Sequence, residues 1–110
     1  MKNGLEREAE ILQMLQDLFA SRKADLVKHR VFLFGSRARG DAKQRSDFDL
    51  AVDGDEPLAI QKFYEIEEAL ESLPTLYSFD WVDITKVNSR FREEALKSAR
   101  IIYDGCAEYL

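Results

Sequence analysis

Val31-Phe32-Leu33-Phe34-Gly35-Ser36 and, after a further ten residues, Asp47-Phe48-Asp49-Leu50-Ala51-Val52 decide how this 110-residue chain is read. The first stretch is a continuous apolar run closed by a glycine, which is the pattern of a buried strand ending in a turn. The second is another strand, stopped by Gly54 after Asp53. Residues 36 to 46 between them form a loop with room for one helical turn, and they gather Arg37, Arg39, Lys43 and Arg45 in an otherwise acidic chain. Successive side chains of a strand point to opposite faces, so Asp47 and Asp49 share one face while Phe48 and Leu50 enter the other. Two carboxylates held that close raise each other's pKa and cost stability unless a cation sits between them. Hard oxygen donors of this kind suit Mg²⁺, whose shell combines one or two carboxylates with waters and substrate phosphate oxygens. Gly35 has a matching task, because a glycine at a strand end lets the backbone approach a ligand and aim its N–H groups at an anion. Ser36 adds a hydroxyl, and arginines in the following loop suit bidentate phosphate contact. The acids are thus candidates for a metal and the loop for phosphate.

Upstream, Ile11, Leu12, Leu15, Leu18 and Phe19 recur on one stripe, which predicts a core-facing helix from Leu5 to about Arg22. Downstream, Pro57 is placed to be the first residue of a helix, with Asp55 and Glu56 at the positive end of its dipole and Phe63, Ile66, Leu70 and Leu73 as its buried stripe. Pro74 breaks the chain, and Phe79 to Thr85 reads as a third strand. Asn88 or Ser89 can cap a last helix running to about Ala99, with Phe91, Ala95 and Leu96 on its face. Ile101-Ile102-Tyr103 adds a short edge strand before the Asp104-Gly105 turn. This order predicts one α/β (α+β) domain over residues 1–110, a small mixed β-sheet with helices packed against one face.

A third carboxylate would complete a two-metal site, and two acids compete for the place. Phe79-Asp80-Trp81 and Val82-Asp83-Ile84 each set an acid between apolar residues. They are three positions apart, so alternation sends them to opposite faces and only one can join Asp47 and Asp49.

Composition removes several function classes. The net charge of -5 argues against a protein that coats nucleic acid, which needs a basic surface. The 45% hydrophobic and 34% charged fractions are ordinary for a soluble domain, and no apolar run approaches the roughly 20 residues of a membrane span. Met1 to Glu10 is charged and lacks the apolar stretch of a secretory signal, so the expected location is cytoplasmic, with no membrane partner. Cys106 is a lone cysteine with no assigned role. His29, between Lys28 and Arg30, reads as a surface residue; Phe63, Tyr64 and Trp81 read as core aromatics, Trp81 with the alternative of meeting a partner.

Phe34-Gly35-Ser36-Arg37-Ala38-Arg39-Gly40-Asp41 followed by Ser46-Asp47-Phe48-Asp49-Leu50-Ala51-Val52 resembles the DNA polymerase β-like nucleotidyltransferase superfamily, and within it the minimal, MntA-like group. The resemblance runs from Val31 to Tyr103. It implies the polymerase β-like nucleotidyltransferase fold and transfer of a nucleoside monophosphate, AMP from ATP, with pyrophosphate leaving. It implies two Mg²⁺ ions held by Asp47, Asp49 and a third acid, which in the family is the earlier of the two candidates, Asp80. Asp80 then serves as base or activator for an acceptor hydroxyl. Gly35, Ser36, Arg37, Arg39 and Ser46 become the nucleotide-binding residues. The minimal group's company implies a small helical HEPN-type toxin as partner, with a toxin tyrosine as acceptor. A binding-only antitoxin without catalysis is the alternative, as is a transferase acting on RNA ends or on a small molecule.

Overall fold

The computed structural model describes residues 4–43 and 47–106. The elements follow the expected order: α1 (Gly4–Ser21), β1 (His29–Phe34), a five-residue α2 (Gly35–Arg39), β2 (Phe48–Gly54), α3 (Ile60–Glu71), β3 (Phe79–Asp83), a 3₁₀ turn (Ile84–Lys86), α4 (Ser89–Leu96) and β4 (Arg100–Asp104). The four strands form one mixed sheet in the order β3-β2-β1-β4. β1 runs antiparallel to both its neighbours, whereas β2 and β3 are parallel, with α3 as the crossover between them.

One face of the sheet is apolar because the odd members of β1 and the even members of β2 are large and uncharged. Val31, Leu33, Phe48, Leu50 and Val52 are fully buried there, and Trp81 and Ile102 join them. α1 covers this face with Ile11, Leu15 and Phe19, and α3 covers it with Ile66 and Leu70. Each such side chain contributes about 1.5–3 kcal/mol when fully buried. The Trp81 ring stacks between Phe19 and Phe63, at 5.7 and 5.5 Å, and its indole N–H donates to the Phe63 carbonyl. Trp81 is therefore a core residue. Among the described residues no helix is long and apolar enough to cross a membrane.

Three expectations are corrected. Pro57 does not begin α3, which starts at Ile60. Leu58 is buried and its N–H donates to the Asp83 carboxylate at 2.8 Å, so the chain stays extended past Pro57 before the helix can turn. The third strand ends at Asp83 and not at Thr85, because the Asp83 side chain accepts from the Thr85 N–H and caps the 3₁₀ turn. The last helix is capped by Asn88, as its sequence suggests, but ends at Leu96, and none of its residues is buried. Instead, Arg92 of α4 reaches Asp53 at 2.7 Å. Asp53 alternates with the buried Val52, so α4 is anchored on the face opposite α1 and α3.

Candidate functional site

The face away from the core carries the acids. Phe34 pairs with Asp49 across β1 and β2, and Asp49 pairs with Asp80 across β2 and β3. The three residues thus lie in one row across the sheet, with neighbouring strands about 4.8 Å apart. Gly35 follows directly at the end of β1 with φ +69°, a conformation that side-chain-bearing residues rarely adopt. A Cβ there would overlap the Asp49 Oδ2 atom and stand 3.1 Å from its Cγ. The turn backbone is therefore packed directly on the Asp49 carboxyl, with no room for anything but hydrogen at position 35. α2 begins at this turn, and its N-cap Phe34 supplies no side-chain hydrogen bond to the leading N–H groups.

Electrostatics mark the same place. The Asp49 carboxyl is raised from 3.8 to about 6, first by burial, then by a hydrogen bond with the Asp80 side chain and by the charges of Asp80 and Asp47. Arg39 opposes the rise through its positive charge. Protonation of one carboxyl lets Asp49 and Asp80 share a hydrogen bond in place of repulsion. A divalent cation relieves the same repulsion, so this oxygen-donor set fits Mg²⁺ in chemistry. Among the described residues no three histidine, cysteine, aspartate or glutamate side chains are gathered closely enough to hold a metal ion between them.

The remaining predicted residues divide. Asp47 is exposed just before β2. Ser36 is partly buried, and its carbonyl accepts the Gly40 and Asp41 N–H groups that close α2. Arg39 is exposed and bonds Asp41 at 3.2 Å. Arg37 does not stand with it: its guanidinium is buried over the Phe48 ring at 4.4 Å and the Tyr77 ring at 5.2 Å. Arg37 thus packs beneath the loop, apart from the exposed Arg39. Ser46, with Arg45, lies outside the described residues. Asp83 is buried and saturated by the Leu58 and Thr85 N–H groups and the Thr85 hydroxyl, on the side away from Asp49. His29 bonds the Val27 and Glu56 carbonyl oxygens and fastens two loops.

Sequence reasoning did not place α4 beside the Gly35 turn. A cleft of about 360 Å³ opens between the β1–α2 turn, at Phe34, Gly35 and Arg39, and the α4 side chains of Phe91, Glu94 and Ala95. The signal was present in the composition of Ser89-Arg90-Phe91-Arg92-Glu93-Glu94-Ala95-Leu96, which has too few apolar residues to bury a face.

Comparison with known proteins agrees with this geometry. Residues 27–106 match the model of the family described as Polymerase beta, Nucleotidyltransferase. A protein adenylyltransferase MntA of Thermococcus cleftensis is 36% identical over 66 residues, covering 56% of this chain and 67% of that protein. A solved minimal nucleotidyltransferase superposes with a TM-score of 0.63 at 31% identity, covering 83% of this chain and 92% of its own. A chain of the complex between the tri-AMPylated Shewanella oneidensis HEPN toxin and the MNT antitoxin has the same fold, with a TM-score of 0.58 at 17% identity over 84% of this chain and 72% of that one. With its Gly-Ser turn packed against the first of two adjoining strand acids and the family match spanning β1 to β4, the chain belongs to the polymerase β nucleotidyltransferase family, in its minimal, MntA-like group.

Proposed function

We propose that residues 1–110 act as a single domain that transfers AMP from ATP to a tyrosine hydroxyl of a small helical HEPN-type toxin, and so serve as its antitoxin in the cytoplasm. The observation that carries this reading is the Asp49–Asp80 pair beneath the Gly35 backbone. The adenylyltransferase relative and the AMPylated toxin complex support the choice of AMP and of partner. Asp47, Asp49 and Asp80 are the residues that would hold two Mg²⁺ ions, which when bound offset the charge of the triphosphate and of the departing pyrophosphate.

The chain's own groups do the rest. The Gly35-Ser36 turn offers backbone N–H groups and a hydroxyl to the distal phosphates, and Ser46 is a further candidate for nucleotide contact. Arg39 joins them by exchanging Asp41 for phosphate; the pair is half exposed and worth little in water. The acceptor oxygen forms a bond to the α-phosphorus as the bond from that phosphorus to the β-phosphate oxygen breaks, and pyrophosphate carries away the electron pair. The acceptor proton passes to Asp80, which is exposed and sits on the edge strand where a docked partner has access. Such in-line attack needs the tyrosine oxygen within roughly 3–3.5 Å of phosphorus, which a docked complex supplies.

The test is to co-express the chain with the product of its neighbouring gene, supply ATP and weigh the partner. The expected result is a mass gain by whole AMP units that Asp49→Asn abolishes. A stable complex with an unmodified partner would instead establish the binding-only antitoxin. Absence of both complex and modification would return RNA ends or a small molecule as acceptor.

A further inference from the structure

α4 is tied over the acid-bearing face by an ion pair to β2. Arg92 bonds Asp53, which raises its already high pKa further through that hydrogen bond and the carboxylate charge. Asn88 caps the helix start through the Phe91 N–H. Fixed in this way, the helix turns a stripe spaced i, i+3, i+4 toward the Gly35 turn: Phe91, Glu94 and Ala95. The stripe is unlike a buried one, since Phe91 is 46% exposed and Glu94 65% exposed at its side chain. An aromatic ring left half in water, beside a charged residue, on the wall of a cleft whose opposite wall is the Gly35 turn, requires a reason. The cleft volume of about 360 Å³ falls within the range of small-ligand sites.

We propose that this cleft is the nucleoside subsite, with the base seated against the Phe91 ring and Ala95, and Glu94 accepting hydrogen bonds from the sugar hydroxyls. The inference rests on the transferase reading above and adds the part of the substrate that the acids and the Gly-Ser turn leave unheld. The position follows from chain geometry: Gly35 borders both the Asp49 carboxyl and the cleft, so a nucleotide whose phosphates lie on the turn has its nucleoside within reach of α4. An aromatic face accepts any base by stacking, and the flat Phe91 side chain orders at little entropic cost. Glu94 is free to change partner, because its ion pair with Lys97 at 3.0 Å is exposed at both ends.

The experiment compares ATP with inorganic tripolyphosphate, both with Mg²⁺, as ligands of the wild type, Phe91→Ala and Phe91→Tyr, by calorimetry. Expected is a loss of ATP affinity of about tenfold or more in Phe91→Ala, recovery in Phe91→Tyr, and unchanged tripolyphosphate binding in both. Unchanged melting temperatures without ligand would show that the exposed ring has no part in folding. ATP binding by Phe91→Ala at wild-type affinity would overturn the subsite while leaving the transferase reading standing. Equal losses of ATP and tripolyphosphate would overturn it too, by showing that α4 serves the phosphates. A wild type that binds neither ligand would overturn both readings together.

Discussion

The Arg37 guanidinium lies over the Phe48 ring, 4.4 Å from its centroid, and so ties α2 to the strand residue that stands between Asp47 and Asp49. The Tyr77 ring flanks the same guanidinium at 5.2 Å and meets Phe48 edge-on at 5.4 Å. A desolvated cation over two rings is worth about 2 kcal/mol or more, and the arginine stem adds packing. Arg39, two positions on, is exposed and pairs with Asp41.

The two arginines should therefore separate cleanly on substitution. Arg37→Ala should lower stability by about 2–3 kcal/mol, a fall in melting temperature on the order of 10 °C for a domain of this size. Arg39→Ala should leave the melting temperature within a degree or two while weakening Mg²⁺-ATP binding about tenfold or more through a lost charged contact. Thermal melts and calorimetry on both variants check the pair.

What the sequence alone made legible follows the range of the interactions involved. The alternation that sets Asp49 on the face opposite Phe48 and Leu50 is a property of three adjacent residues, and β1 and β2 pair so that Asp49 meets Gly35. Arg37 and Arg39 are indistinguishable by composition, because the rings of Phe48 and of Tyr77, the latter forty residues away, take up one guanidinium and not the other. Pro57 looked like a helix start for the same reason. Its neighbour Leu58 is held by Asp83, 25 residues on, and no local pattern reports that bond. Phe91, Ala95 and Leu96 have a helical spacing that suits burial, but burial needs an opposing apolar surface, and α4 instead borders a cleft.

Asp49 titrates in a window that gives a pH test. Its folded carboxyl, at about 6, lies above the ordinary 3.8, so the folded state holds the proton more tightly than the unfolded chain. Stability contributed by this group is thus greatest below about pH 4, falls as pH rises through about 6, and is flat beyond. The full linkage is roughly 3 kcal/mol, less whatever solvent screening removes. Metal-free wild type should melt progressively lower between pH 4.5 and 7.5 relative to Asp49→Asn, which should also be the more stable of the two at pH 7.5. A constant difference between the two melting curves across that range would refute the raised Asp49 carboxyl, which burial and Asp80 together produce.

Asp80 and Asp83 differ in burial and should differ in what they lose. Asp83→Ala leaves the buried Leu58 N–H and the part-buried Thr85 N–H without their acceptor, a cost of about 2–6 kcal/mol at roughly 1–3 kcal/mol per unsatisfied group. The protein should melt markedly lower yet retain AMP transfer in its folded fraction. Asp80→Asn should keep or slightly raise the melting temperature, since a like charge beside Asp49 is removed, and should lower turnover by orders of magnitude. Mass spectrometry of the acceptor alongside thermal melts ranks them, and the reverse ranking would transfer the role of third carboxylate to Asp83.

Gly35 and Gly40 provide the final comparison, because both have positive φ, +69° and +82°, and only one has a neighbour in the way. At Gly40, the C-cap of α2, an added Cβ meets nothing within 4 Å, so Gly40→Ala carries the backbone strain alone, about 1 kcal/mol. At Gly35 the same methyl collides with the Asp49 carboxyl, and the strand pairing of Asp49 with Phe34 and Asp80 gives that carboxyl little freedom to retreat. Gly35→Ala should therefore cost more stability than Gly40→Ala and should also displace Asp49, eliminating the Mg²⁺-ATP-dependent rise in melting temperature that Gly40→Ala keeps. The double variant Gly35→Ala with Asp49→Ala distinguishes collision from strain: removing the carboxyl should recover part of the stability lost in Gly35→Ala, with no recovery of transfer. If Asp49→Ala recovers nothing, the turn is limited by its backbone conformation, and the packing of Gly35 on Asp49 is not what reserves position 35 for glycine.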